Sequence, residues 1–308
     1  MNFLDLFSGI GGFHLGLEQA GFDFEWVGFS EIDKYANATY KKNFPDSVDL
    51  GDVRAIRHED LPKIDIITFG SPCQDFSIAG KRSGMQGNRS TLITEAIRLI
   101  TDCKPRFFIW ENVKGTFSSN DGRDFWAIIK AFADIGGYRL EWQLLNTRWF
   151  LPQNRERIYL IGHLGDGGGS KIFPVGEDSE KSNKGKQGRV EIQTAQCLNA
   201  RMHKIGRDDN YIKTSLNQIG TIGEDSEATR VYDTTLARTI KNGGGMGAKT
   251  GLYQVKSNIR RLTPTECERL QGFPDGFTAG QSDTQRYKQL GNAVSVPVVK
   301  AVGTKIRW

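Results

Sequence analysis

Residues 2–12 read NFLDLFSGIGG, a short apolar run that turns through three glycines into an amphipathic stretch at 12–20. A buried strand, a glycine turn and a helix in that order open an α/β unit. In such a unit the backbone approaches a ligand at the helix N-terminus. A glycine turn alone is equally a plain turn, so the rest of the chain has to decide between the two. Apolar runs recur at 24–30, 64–69, 106–110, 139–145 and 157–162, with helical patterns between them at 33–42, 91–102 and 123–135. Strand and helix in alternation predict an α/β fold, a Rossmann-like parallel sheet covered by helices on both faces.

The character changes near residue 164. Between Leu164 and Ile259 there are 15 glycines among 96 residues, with polar runs such as GDGGGS (165–170) and EDSEKSNKGKQGR (177–189). Weak periodicity there predicts a second, smaller, irregular β-rich domain. Order returns at Arg260, where Thr263-Pro264-Thr265-Glu266 reads as a capping box, and 287–306 reads as helical. The expected division is 1–163 for the sheet domain, 164–259 for the irregular one, and 260–308 for a hinge helix and a segment returning to the first domain.

Composition narrows the function classes. The 308 residues are 38% hydrophobic and 25% charged, which is ordinary globular usage. No run reaches the roughly 18 apolar residues of a membrane helix. The N-terminus carries Asp5 inside its first apolar run and lacks a basic region, so no signal peptide is expected. A net charge of +5 permits a polyanionic partner without demanding one. The four cysteines have no C-x-x-C spacing and the four histidines are scattered, so neither a metal site nor a disulfide framework is expected.

Several residues stand where chemistry is done in such folds. Glu31 ends the second strand, where an acid holds ribose hydroxyls, and Asp52 offers a second carboxylate at a strand end. Cys73 follows the apolar strand IDIITF at the carboxyl edge of the sheet. Lys81, Arg82 and Arg89 come after it, and positive charge favours a thiolate. Glu111 ends the fourth strand, an expensive place for an unpaired acid. Arg155 and Arg157 alternate onto one face, as a solvated edge or an anion clamp.

Taken in order, these pieces resemble the DNA (cytosine-5)-methyltransferase family of bacterial or phage type, over nearly the whole chain. DLFSGIGG (5–12) resembles its methionine-binding glycine motif, SPCQ (71–74) its nucleophile motif and ENV (111–113) its glutamate motif. QNRER (153–157) resembles the arginine motif, RRLTPTECERLQGFP (260–274) the brace of the recognition domain, and QLGNAVSVPV (289–298) the last motif. Ser71 stands where proline or phenylalanine is common, and Ala293 where serine is; neither change removes a reacting group. The chain starts almost at the first motif, so no regulatory N-terminal domain is expected.

The resemblance implies S-adenosylmethionine as cofactor. It assigns cofactor contacts to Phe7, Gly9, Gly11, Glu31 and Ile32, then to Asp52, Val53 and Pro72, and finally to Asn292 and Val294. It makes Cys73 the nucleophile that attacks carbon 6 of a flipped cytosine, Glu111 the donor at ring nitrogen 3, and Arg157 the group on the base carbonyl with Arg155 supporting it. Region 164–259 becomes the target recognition domain. DNA contacts are implied for Gln74, Ser77, Lys81, Arg82 and Arg89, and for Arg238, Thr239 and Ile240 in ARTIKNGGGMGAKTG (237–251). The implied setting is a cytoplasmic monomer acting on double-stranded DNA, in a bacterial cell or a phage-infected host. That setting leaves room for a cognate restriction endonuclease encoded nearby.

Three competing readings explain less. An RNA methyltransferase of the tRNA type would carry a Cys-Phe-Thr tripeptide, which is absent. A binding-only repressor would not need Cys73 and Glu111. A nicotinamide dehydrogenase accounts for the glycine turn and Glu31, but not for SPCQ, ENV and QNRER together.

Overall fold

The computed structural model describes residues 1–70, 92–165, 171–175, 216–226, 228–241 and 250–306. The first domain comprises β1 (Asn2–Leu6), α1 (Gly12–Gln19), β2 (Trp26–Ser30), α2 (Lys34–Asn43), β3 (Val48–Asp49) and β4 (Ile66–Gly70). It continues with α3 (Leu92–Cys103), β5 (Phe107–Val113), α4 (Arg123–Asp134), β6 (Tyr138–Asn146), β7 (Gln153–Asn154) and β8 (Glu156–Leu164). Seven of these strands form one sheet in the order β3-β2-β1-β4-β5-β8-β6.

The sheet is parallel only in part, which corrects the all-parallel expectation. Strands β3, β2, β1, β4 and β5 run parallel, whereas β8 is antiparallel to both neighbours, β5 and β6. The cause lies in connection length. The α4 crossover delivers β6 parallel to β5 but one position away, and only residues 147–155 separate β6 from β8. So short a link cannot make a crossover, and β8 returns antiparallel into the gap.

Strand alternation sorts the core. Leu4, Leu6, Ile67, Phe69, Phe108, Trp110 and Leu160 face α3 and α4, meeting Leu99, Ile100, Ile128 and Phe132. Phe3, Ile66, Phe107, Ile109 and Ile161 face the other way, against Phe13 and Leu17 of α1. Residues 171–175, which the sequence places in the recognition region, belong to this second core through Ile172, Phe173 and Val175. Glu141 Oε2 accepts from the amides of Ile172 and Phe173 at 3.0 and 3.3 Å, and Gln143 Oε1 from that of Val175 at 2.9 Å. The packing of the sheet domain therefore extends past residue 163.

A smaller sheet stands apart, as expected of a β-rich second part. It contains β9 (Gln218–Thr221), β10 (Arg230–Tyr232), β12 (Leu252–Val255) and β13 (Asn258–Arg261), in the order β13-β12-β10-β9. The hairpin β12–β13 spans the boundary expected at 259. Strand β11 (Ala237–Arg238) leaves this sheet and pairs in parallel with β7.

Helix α5 (Pro264–Gln271) starts with the expected capping box. Thr263 accepts from the Glu266 amide at 3.2 Å, and Glu266 accepts from the Thr263 amide at 2.7 Å. The segment expected as one helix at 287–306 is two, α6 (Asp283–Asn292) and α7 (Val296–Gly303). Ala293 and Ser295 are extended and Pro297 sits in the first turn of α7, so the helix breaks at Ala293–Ser295. No helix among the described residues is long and apolar enough to cross a membrane.

Helix α7 closes the fold by packing on α1, where a Cβ on Gly16 would lie 2.6 Å from Val299 Cβ and 3.0 Å from the Val296 carbonyl oxygen. Gly16→Val therefore forces the two helices apart and costs about 3 kcal/mol, the upper part of the usual overpacking range. A urea midpoint that is unchanged in this variant would contradict the contact.

Candidate active site

The site is built at the carboxyl edge of the large sheet, beginning with the turn between β1 and α1. Phe7, Gly9 and Gly11 all adopt positive φ, of 51°, 56° and 85°. Glycine takes this conformation freely, whereas Phe7 is strained, a feature that collects at functional sites. The turn is pinned by Glu31 at the tip of β2. Glu31 Oε2 accepts from the Gly9 amide at 2.9 Å, and Oε1 accepts from the Asp33 amide at 2.7 Å. Burial pushes the Glu31 carboxyl above its ordinary range, against the pull of those amides. Ile32 beside it is 74% exposed and faces the same cavity, an apolar surface available to a flat ring.

Asp52 caps the turn Val53–Ala55 and accepts from the Arg54 amide and Nε, each at 3.0 Å. Hydrogen bonds from Arg54 hold this carboxyl below the usual range. Across the cavity, Glu111 ends the apolar part of β5 and is almost wholly buried. Its Oε1 lies 3.1 Å from Arg157 Nε in an ion pair. Burial raises the Glu111 carboxyl, and the nearby charges of Arg157 and Arg155 oppose that rise without cancelling it. Gly70, the last residue of β4, pairs with Glu111, and a Cβ there would lie 3.3 Å from Glu111 Oε2. The chain thus passes the Glu111 carboxylate three residues before Cys73.

Arg155, expected to support Arg157, is turned toward the backbone of the last motif. Its side chain is 2% exposed and donates to the carbonyls of Gly291, at 3.3 Å, and Ala293, at 2.7 Å. Burial beside Arg157 lowers its pKa to about 9, so the guanidinium remains charged at neutral pH. Its direct work is to hold the last motif in place, while Arg157 is the arginine paired with Glu111.

One cavity of about 980 Å³ unites these groups. Phe7, Gly9, Glu31, Ile32, Asp52, Val53, Asn292 and Val294 line it, together with Glu111, Arg155 and Arg157. Gly11 lies behind the wall, where a Cβ would meet the Phe44 ring at 2.5 Å. Pro72, Cys73, Gln74, Ser77, Lys81, Arg82 and Arg89 lie outside the described residues.

The small-sheet region also reaches the cavity, through Thr239, Ile240 and Lys241. Thr239 Oγ1 donates to the Asn154 carbonyl at 2.6 Å, which joins it to the arginine motif. Two side chains expected at DNA are instead internal. Ile240 is 1% exposed and packs among Ile10, Cys267 and Phe273, while Arg238 is buried with its guanidinium over the Tyr232 ring. Neither presents an open surface to a duplex in this conformation. Sequence reasoning missed Asp33 and Lys288, which line the cavity and form an ion pair at 2.5 Å. Their separation of 255 residues leaves no local signal.

A positive-φ glycine turn, an acid with both oxygens fixed, and an exposed apolar side chain surround a space of the usual size for a cofactor site.

The comparisons with known proteins agree with this geometry. The family model for C-5 cytosine-specific DNA methylase matches residues 1–308. The type II methyltransferase M.NlaX of Neisseria lactamica is 36% identical over 306 residues, covering 99% of this chain and 95% of that protein. The type II methyltransferase M.HhaI of Haemophilus parahaemolyticus is 33% identical over 322 residues, covering 99% and 94%. Among solved structures, the Dnmt2 methyltransferase of S. pombe superposes with a TM-score of 0.66 at 20% identity, covering 98% and 96%, a likeness of fold. With its whole length matched by one family model and by relatives of more than 30% identity, this chain belongs to the C-5 cytosine-specific DNA methylase family.

Proposed function

We propose that this C-5 cytosine DNA methyltransferase binds S-adenosylmethionine in the cavity between β2 and α6, and that a cytosine flipped from double-stranded DNA enters beside Glu111 and Arg157. The observation that carries the reading is one cavity holding the Glu31 turn on one side and the buried Glu111–Arg157 pair on the other. When bound, the cofactor supplies an electrophilic methyl group. Glu31 holds the ribose hydroxyls with its remaining lone pairs, Asp52 reaches the adenine edge, and Ile32 covers the ring.

Carbon 5 of cytosine is a poor nucleophile until carbon 6 is attacked. The Cys73 thiolate forms a bond to carbon 6, and the ring electrons move toward nitrogen 3. Glu111, whose carboxyl burial raises above its ordinary range, donates a proton to nitrogen 3, and Arg157 holds the carbonyl oxygen. Carbon 5 takes the methyl group that the bound cofactor would supply, as nitrogen 3 returns its proton to Glu111. Solvent then takes the proton on carbon 5, that bond pair re-forms the carbon 5–carbon 6 double bond, and Cys73 leaves as the thiolate. Taking the base from the duplex costs a few kcal/mol of stacking. Region 164–259 chooses the site read. Thr239, bonded to Asn154, ties that choice to the arginine motif. The type II designation of the relatives supports a cellular role beside a restriction endonuclease.

The test of the reading is transfer of a labelled methyl group to DNA, to RNA and to no acceptor, with incorporation expected in DNA alone. Cys73→Ala abolishes transfer, and DNA containing 5-fluorocytosine traps the wild type covalently but not the variant; normal turnover by Cys73→Ala would refute the mechanism. Glu31→Ala weakens S-adenosylmethionine by about 1.5–3 kcal/mol in calorimetry, because charged hydrogen bonds are lost. Glu111→Gln lowers turnover by roughly 10²–10⁴ with cofactor affinity kept. The same variant reports on proton linkage. The folded Glu111 pKa lies above its unfolded value, so the contribution of Glu111 to stability is fully present below the unfolded pKa. It is lost as pH rises through the folded one. Urea unfolding across that window shows a decline in the wild type that Glu111→Gln flattens.

A further inference from the structure

The ion pair between Asp33 and Lys288 joins the tip of β2 to α6 at the rim of the cavity. Asp33 divides its carboxylate between two tasks. Oδ1 caps α2, accepting from the amides of Tyr35 at 2.9 Å and Ala36 at 3.3 Å, while Oδ2 takes Lys288 Nζ at 2.5 Å. Burial pushes the Asp33 carboxyl up, but Lys288 and the two amides outweigh it and hold it below the usual range. The Asp33 amide in turn donates to Glu31 Oε1, and Glu31 Oε2 accepts from the Gly9 amide. An unbroken line of polar contacts therefore runs from α6 through Asp33 and Glu31 to the glycine turn. Beneath it, Thr39 Oγ1 of α2 donates to Gln289 Oε1 of α6 at 3.2 Å, so the two helices are docked independently of the ion pair.

We propose that Lys288 is a positioning residue for cofactor binding, acting through Asp33 as a clasp that fixes Glu31 and closes the cavity rim. This rests on the reading of the cavity as the S-adenosylmethionine site. Both side chains are partly exposed, at 45% and 28%, so the pair adds little to global stability and its effect falls on local geometry. Because the clasp lies across the rim, it acts on retention of the cofactor and not on the methyl-transfer step at Glu111.

The test is a double-mutant cycle read by calorimetry with S-adenosylhomocysteine as probe. Asp33→Asn keeps a capping oxygen for α2, since asparagine and aspartate cap equally well, and removes only the charge. Lys288→Met removes the other charge and keeps most of the side-chain volume. Each single variant raises Kd about 3–5-fold, the share of a partly exposed ion pair, and the double variant stays within that same range. Lys288→Arg restores binding toward the wild-type value. In turnover assays KM for the cofactor rises in the single variants, with kcat at saturation kept within about two-fold, a split that loss of folding alone does not produce. Multiplication of the two effects in the double variant would mean that Lys288 touches the ligand directly, and would overturn the clasp. Unchanged affinity in every variant would overturn it as well. Failure of the wild type to bind the probe would instead refute the cofactor reading itself.

Discussion

Arg155 places a full positive charge inside the protein, and the junction of the site depends on how that charge is satisfied. Its guanidinium is held by the carbonyls of Gly291 and Ala293, two groups freed where α6 ends and α7 has not begun. The break at Pro297 is therefore more than a stop signal. It frees the Gly291 carbonyl from the partner a continuous helix would give it, and Pro297, with no N–H, could not serve the Ala293 carbonyl in any helix, so Arg155 takes both. Removing the arginine would take the side-chain donor from these carbonyls at the cavity wall, and removing the break would take acceptors from a buried guanidinium. Each feature makes the other tolerable. The last motif is consequently fixed to β8 at one end and to α2 at the other, with the cavity between.

The same economy governs Glu111. A carboxyl buried at a strand end is costly as an anion, and its neighbour Arg157 reduces that cost without abolishing it. The result is an acid raised above its ordinary range and oriented by a cation. On the opposite wall Glu31 is also raised by burial, but two backbone amides fix it and no cation among the described residues pairs with it. Two carboxylates in one cavity thus receive different surroundings, one suited to proton work and one to holding hydroxyls.

Much of this was legible from residues alone, and the reasons are local. Every strand of the large sheet except the two-residue β3 arises from an apolar run, and the capping box at Thr263 states its own geometry. Glu31 and Glu111 could be found because an acid at the end of a buried strand is conspicuous, and Asp52 because it follows a glycine ahead of a turn. The hidden features depend on distant parts of the chain. The antiparallel return of β8 results from the shortness of a link whose neighbours are known only once β5 and β6 are placed. Arg155 and Arg157 look equivalent by alternation, and only the carbonyls at 291 and 293 separate their roles. Asp33 looks like an ordinary helix cap until Lys288 arrives from α6.

The burial of Ile240 and the Thr239–Asn154 bond change how recognition and chemistry are related. Were 237–240 a free loop, the choice of site and the handling of the base would be separate events joined only by DNA. Here β11 pairs with β7, Thr239 holds the Asn154 carbonyl, and Asn154 accepts from Asn146 at 2.9 Å. Asn146 also accepts from the Arg155 amide at 3.1 Å. Displacing this segment therefore strains the backbone that carries both arginines. Ile240 anchors its far end in the cluster with Phe273 and Ile10, next to the glycine turn. A shift of the 237–240 segment would thus be felt at Arg157 and at the glycine turn together. Coupling of that kind needs a contiguous set of packed and hydrogen-bonded groups, and these residues supply one.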